Sequence, residues 1–394
     1  PWLWAVVQQP LFLVSCKLSV YAMLKGKKIL VPNHVGGRIE HDLRGLGFDV
    51  TVMKCGQWFE ISDRLRIASL ANYNQDAVLM LDLDGHLVID ANDAGNRGGS
   101  LFLEQERSKF HKRTVLSCLT GYGDADMLNF FDEQGVRIQP EAMKKEPCGP
   151  GIKAMLDYYD IDYFAPSSSM HRYNRTDSGW ADACATPVDA HSDGFDGGRR
   201  SCLPPFIRFD LHTGCYEEIN PPANDQPLLP PEAFGDDWST PLEKEDVDKL
   251  RAYFTKFAHL HTVLGFVNLR VGGKDHTIDV NREHDRGITF ETPRQSLMQA
   301  VEWQAFDDIL IGNFCKTTMH GDWWGKVGND ALYPHFGPFV TKFGDNGGAS
   351  TPEQLRAYFA EYLDRGYTDF ADDVRDQEMK EALAPYLTAG GTNS

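Results

Sequence analysis

The sequence predicts a mixed α/β fold, and two stretches carry that expectation. The first runs from Asp76 to Gly95, DAVLMLDLDGHLVIDANDAG: it alternates apolar and polar residues, turns at Asp84-Gly85, alternates again and stops on Asn92-Asp93-Ala94-Gly95. Asp-Gly between two alternating runs is a strong hairpin signal, because the tight turn needs positive φ at both positions. The second is a strand–helix–strand pattern between Lys28 and Met53. Strand–helix–strand followed by antiparallel strands indicates a mixed sheet.

The elements follow in order. Lys28-Ile29-Leu30-Val31-Pro32 is a short apolar strand closed by proline, Ile39 to Leu46 suits two helical turns ended by Gly47, and Phe48 to Met53 is a strand. Leu65 to Leu70 is another, and the hairpin follows. Leu101 to Val115 reads as a helix with charged faces, Val115 to Leu119 as a buried strand, and Ala154 to Tyr163 as a short helix or strand ending at Ala165-Pro166. Gly194 to Arg200 is a turn-rich break, and Asn220 to Pro231, with five prolines, an extended arm. The last third reads as more helical. Ser239-Thr240-Pro241-Leu242-Glu243 and Thr351-Pro352-Glu353 both place a hydroxyl cap before proline and acids in a first turn, the first helix running to about His259 and the second to Arg365. The domain division expected is 1–26 as an ill-defined segment, 27–200 as the first domain and 201–394 as an α+β extension.

Composition narrows the function. With 39 Lys+Arg against 57 Asp+Glu the net charge is −18. That argues against a nucleic-acid partner and against docking on an anionic membrane. The eight cysteines, at 16, 55, 118, 148, 184, 202, 215 and 315, form no Cys-x-x-Cys and no iron–sulfur signature, and read as reduced thiols in a cytoplasm. The stretch from Pro1 to Lys28 is apolar but broken by Gln8-Gln9-Pro10 and Lys17, which fits neither a spanning helix nor a signal peptide. There is no dinucleotide fingerprint, phosphate loop, nucleophile elbow or zinc-protease helix. The sequence carries no signal for an oligomeric state.

The densest chemistry lies in SSSMHRYNRTDSGWA, from Ser167 to Ala181, directly after an apolar stretch. Its polar residues suit a site built from loops beyond a strand end. His171 is a metal-ligand type, Arg172 and Arg175 can clamp a phosphate or carboxylate, and Asp177 stands beside them. Asp93, at the mouth of the hairpin and followed by Ala94-Gly95, is placed where an α/β enzyme often puts a metal-binding carboxylate. The other histidines read as structural: His320 packed and hydrogen-bonded, His259 and His261 in the fold, His34 and His41 at the surface.

The segments ILVPNH, GLGFDVTVMKCGQWFEISDRLRIASL and DAVLMLDLDGHLVIDANDAG, followed by SSMHRYNRTDSGWADACATP, DDILIGNFCKTTMHG and FGDNGGASTPEQLRAYFAEY, resemble the metallo-β-lactamase fold. The resemblance is to the branch that contains metal-dependent hydrolases and relatives of the CMP-N-acetylneuraminate hydroxylase, and it covers about residues 27 to 385. It implies an αββα sandwich with a mixed α+β C-terminal extension. It further implies a divalent metal, zinc first and iron or manganese next, with Asp93 and His171 as both metal ligands and catalytic residues. Arg172, Arg175 and Asp177 would be the neighbours that bind an anionic small molecule. Metal-bound hydroxide would be the nucleophile, since a divalent cation lowers the pKa of its water to about 7.

The chain departs from the family in one respect. None of its 13 histidines forms His-x-His-x-Asp-His, and Asn72 stands about where a further histidine ligand falls. The expectation is therefore of a chain beginning, at Pro1 rather than Met, after the first half-domain, with an incomplete ligand set. The expected function is a metal-dependent hydrolase impaired by that loss. The alternatives are an oxygenase related to the sialic-acid hydroxylases and a non-catalytic anion-binding descendant.

Overall fold

The computed structural model describes residues 24–92, 94, 100–119, 128–138, 148–167, 172–184, 188–195, 198–219, 227–321, 336–365 and 382–386. It is a mixed α/β structure. Strand β1 (Lys28–Pro32), helix α1 (Arg38–Gly45) and strand β2 (Asp49–Met53) form a parallel β–α–β unit in register from Lys28↔Asp49 to Pro32↔Met53. The helix ends where Gly47 takes φ 84°, a value open to glycine. Ile29, Val31, Leu43 and Val50 form a small core between them.

The main sheet has seven strands: β3 (Phe59–Ser62), β4 (Leu65–Ala71), β5 (Ala77–Leu83), β6 (His86–Asn92), β7 (Thr114–Leu119), β9 (Tyr163–Ser167) and β10 (Ser201–Cys202), in the order β10-β9-β7-β6-β5-β4-β3. The hairpin turns where expected, with Asp84 at φ 51° and Gly85 at φ 83°, as a type I′ turn requires. From β3 to β6 the sheet is antiparallel, and from β6 to β10 every pairing is parallel. Helix α2 (Ser100–Arg107) connects β6 to β7, α3 (Gly149–Tyr159) precedes β9, and the short α4 (Val188–Ser192) precedes β10. Leu103, Ile152 and Leu156 from these helices bury against Met80, Ile89, Leu116 and Phe164 of the sheet. A bulge interrupts the β6–β7 register between Asp90 and Asn92.

Beyond Cys202 the chain builds a ribbon, β11 (Ile207–Phe209) with β12 (Tyr216–Glu218), and four strands of a second, five-stranded sheet. That sheet comprises β13 (Phe266–Val271), β14 (Lys274–Asp279), β15 (Gly287–Glu291), β16 (Lys316–His320) and the short β8 (Phe130–Phe131), in the order β14-β13-β15-β16-β8. Helices α5 (Lys244–Thr255), α6 (Arg294–Glu302) and α7 (Phe306–Ile311) cover it, with Phe254, Phe290, Phe306 and Phe336 at the centre of the core. The Phe290 and Phe306 rings meet edge to face at 4.9 Å. A π-helical run (Pro338–Asn346) leads into α8 (Pro352–Asp364), whose Tyr358, Phe359 and Tyr362 are buried. Here Thr351 is the cap: its hydroxyl accepts the Gln354 N–H, and the Gln354 side chain returns a bond to the Thr351 N–H at 3.0 Å.

Several expectations are corrected. The last third is the more helical part, as expected, but residues 266–320 also contribute four strands that were not placed from the sequence, with Gly272-Gly273 making a tight turn at φ 59° and 71°. The helix expected at Pro241 starts at Lys244, since Glu243 and Asp246 form the capping box there instead. The run Leu101 to Val115 splits into α2 and the start of β7, and Ala154 to Tyr163 splits between α3 and β9. Strand β8, although early in the chain, pairs with β16 in the second sheet. Among the described residues no helix is long and apolar enough to cross a membrane. The seven cysteines among the described residues are free thiols.

Loss of the α8 cap is a measurable cost. Thr351→Ala is expected to lower stability by about 1 kcal/mol, read as a lower urea midpoint, while Thr351→Asp, which restores an acceptor, should recover most of it.

Candidate functional site at the carboxyl ends of the strands

The switch from antiparallel to parallel pairing fixes one edge of the main sheet. Strands β4, β6, β7 and β9 run in the same direction, so Ala71, Asn92, Leu119 and Ser167 end at the same edge. Asn92, Cys118 and Pro166 are register neighbours across three strands. In open α/β sheets ligands bind beyond the carboxyl ends of the strands. Asp93 follows Asn92, and His171 follows β9 within the next loop, but both lie outside the described residues.

The described residues at this edge are held by their own hydrogen bonds. Asn72, directly after β4 and buried, accepts the N–H groups of Asn74 at 2.9 Å and Asp76 at 3.1 Å, and its amide donates to the Ala94 carbonyl at 3.4 Å. It therefore shapes the β4–β5 turn and ties it to the residue after Asp93. Cys55, in the loop after β2, receives the Ala71 N–H on its sulfur at 3.4 Å, and the Arg365 Nη1 lies at the same distance. Arg365 also donates to the Asn33 carbonyl at 2.7 Å and to Glu361 Oε1 at 2.9 Å.

His34 is not the surface residue the sequence suggested. It follows β1, only 5% of it is exposed, and among the described residues neither ring nitrogen has a hydrogen-bond partner. Burial pushes its pKa down from the usual 6.5 to about 4; Asp76 opposes this, while Arg365 and Lys342 add to it. Asp76 accepts from Asn74 Nδ2 at 2.8 Å and lies 3.7 Å from Lys342 Nζ. The only hint in the sequence was position: a histidine just past a strand end, in a loop closed by two glycines.

The run after β9 is arranged differently from the expectation. Arg175 is buried and gives two parallel bonds to Asp177, at 2.9 and 2.8 Å, and a third to Asp236 at 2.6 Å. Trp238 Nε1 donates to Asp177 at 3.0 Å, Ser296 donates to Asp236 through its N–H at 2.9 Å and its hydroxyl at 2.6 Å, and the Arg175 guanidinium lies 4.0 Å from the Phe314 ring centre. Burial opposes ionisation of Asp177, but the Arg175 and Trp238 bonds outweigh it and hold its pKa below the usual value. Arg175 and Asp177 thus pin this loop to the residues before α5 and to α6, rather than presenting a free cation to a ligand. Arg172 is exposed, with Asp182 at 3.8 Å.

The remaining histidines match their structural reading. His320 lies between Thr289 Oγ1 at 2.7 Å and Glu133 Oε1 at 3.1 Å, and His259 stacks on Phe339 at 3.6 Å. Among the described residues no group of three or more His, Cys, Asp or Glu side chains could hold a metal ion. Comparison with protein-family models, with the curated proteins and with the solved structures gives no match to this chain.

The two arginines should separate cleanly on substitution. Arg175→Ala leaves Asp177 and the buried Asp236 without their cation, and is expected to cost about 3 kcal/mol of stability. Arg172→Ala, at an exposed 3.8 Å pair, should change stability by less than about 0.5 kcal/mol. Chemical denaturation of the two variants checks both.

Proposed function

We propose that this chain is a hydrolase of the metallo-β-lactamase type that works at the carboxyl edge of its main sheet on an anionic small molecule. The observation that carries the reading is the common direction of β4, β6, β7 and β9, which brings the segments leading to Asp93 and toward His171 to one edge. The order of strands around the hairpin supports the sandwich architecture of that family, and the sequence segments quoted above support the family itself. Positive charge near this edge, from Lys342 and Arg365 beside His34, supports an anionic ligand.

The described residues do not fit a complete divalent metal centre. Asp93 and His171 would be two ligands, fewer than the three protein ligands of a catalytic zinc site, and the described residues alone contain no group of three or more His, Cys, Asp or Glu that could hold a metal ion. Asn72 cannot replace a ligand without giving up the bonds that form the β4–β5 turn.

That shortfall favours one second reading, a non-catalytic anion-binding descendant of the fold. Metal analysis of the full-length gene product, grown with zinc, iron and manganese, separates the two. The hydrolase reading expects stoichiometric metal and phosphoester or sugar-ester hydrolysis, both lost on Asp93→Ala and on His171→Ala. A folded, metal-free protein whose melting temperature rises with inorganic phosphate or a sugar acid would overturn it in favour of anion binding.

A further inference from the structure

The loop between β1 and α1, residues 33–37, is clamped from three sides. The Val35 N–H donates to Tyr362 Oη of α8 at 3.2 Å, and the Val35 carbonyl accepts from Gln75 Nε2 at 2.9 Å. Arg365, just after α8, holds the Asn33 carbonyl at 2.7 Å. Gly36 lies so close to the end of the π-helical run that a Cβ there would come within 2.6 Å of the Gly347 carbonyl oxygen. Gly36 and Gly37 take φ 87° and 61°, so two adjacent positions can absorb a change of backbone direction.

His34 stands inside this clamp, and among the described residues neither ring nitrogen has a hydrogen-bond partner. The charged groups that act on it there are Asp76 from the β4–β5 turn, Lys342 from the π-helical run and Arg365 from the end of α8, while Tyr358, Tyr362 and Cys55 bond to the residues of the clamp. Two of these are cations. The single carboxylate already accepts from Asn74 and faces Lys342. A neutral imidazole can be enclosed here at the cost of its missing hydrogen bonds. An imidazolium would be a charge sealed from water, with no acceptor and two cations for neighbours, which is far costlier.

We propose that this junction is an acid-sensitive latch, in which proton uptake from solvent on a His34 ring nitrogen releases the 33–37 loop from α8 and the π-helical run. Released, the imidazole regains the usual affinity for a proton; clamped, its pKa is about 4 against 6.5. The open form therefore binds more protons as pH falls from 6.5 to 4, and acid drives opening, by about ten-fold in the open-to-closed ratio per pH unit. Two carboxylates of the same layer act with the opposite sign. Burial pushes Asp345 up to about 6 and Asp308 up to about 7, so both hold a proton more tightly in the closed form and favour it as pH falls. The His34 contribution must therefore be isolated by substitution at His34 itself. The latch lies beside the carboxyl edge but does not depend on any reaction there.

Amide hydrogen exchange of the Val35 segment between pH 7 and pH 4.5, corrected for the intrinsic rate, tests it on the whole chain. The expected result is protection in the wild type that, taken relative to His34→Leu at the same pH, falls about ten-fold per pH unit below 6.5, with β13 unchanged in both. A wild-type to His34→Leu ratio that stays constant from pH 7 to pH 4.5 would overturn the latch. If His34→Leu does not fold, the ring-proton titration of His34 in the wild type decides. A pKa well below 6.5, with loop exchange rising as the ring takes its proton, supports the latch; a pKa near 6.5 with the loop still protected rejects it.

Discussion

Everything at the carboxyl edge depends on β6 being antiparallel to β5 and parallel to β7 at once. The two-residue turn at Asp84-Gly85 reverses the chain, so β6 runs with β4. Its parallel pairing then commits β7 and β9 to the same direction through helical crossovers. Had the sheet continued as a meander, successive loops would have alternated between edges. Instead the connections after four strands gather on one side, and that gathering, rather than any single residue, is what the proposed site rests on.

The acidic composition gives arginine a second part in this architecture. Among its internal ties, Arg38 reaches from α1 to the Asn346 side chain at 2.8 Å, Arg113 holds carbonyls of residues 211 and 213 at 3.0 Å, and Arg200 holds the Ile161 carbonyl at 2.6 Å. Arg175 gathers two carboxylates. A guanidinium can serve several acceptors at once and stays charged when half-buried, which suits it to joining segments distant in sequence. His34 is the contrast: an imidazole enclosed with no hydrogen-bond partner among the described residues.

The sequence made the near-local features legible. The hairpin, the strand–helix–strand start and the Thr351 cap all carry their signals within a few residues, and each formed where expected. Features set by distant partners were not legible. Arg175 reads as a ligand clamp until Asp236 and Trp238, some sixty positions on, arrive to engage the cluster. His34 reads as exposed until α8, more than three hundred positions on, closes over it. The C-terminal part was expected as α+β, but its individual strands were not placed: the Gly272-Gly273 turn that joins two of them was outweighed by the helix-start signals on either side. Asp93 and His171 remain expectations of the sequence, since they fall outside the described residues.

The bulge between Asp90 and Asn92 has a consequence for how such a chain can change over generations. One extra residue on β6 shifts the register of the stretch that resumes pairing at Asn92. Substitutions can alter what stands on that stretch while leaving its direction alone. A single-codon deletion would do the reverse: it would keep the residue types and turn the stretch by half a strand repeat, taking the Ala94 carbonyl away from Asn72. The strand is thus tolerant in spelling and intolerant in length, and the reading frame of its pleat is the more heritable of its two properties.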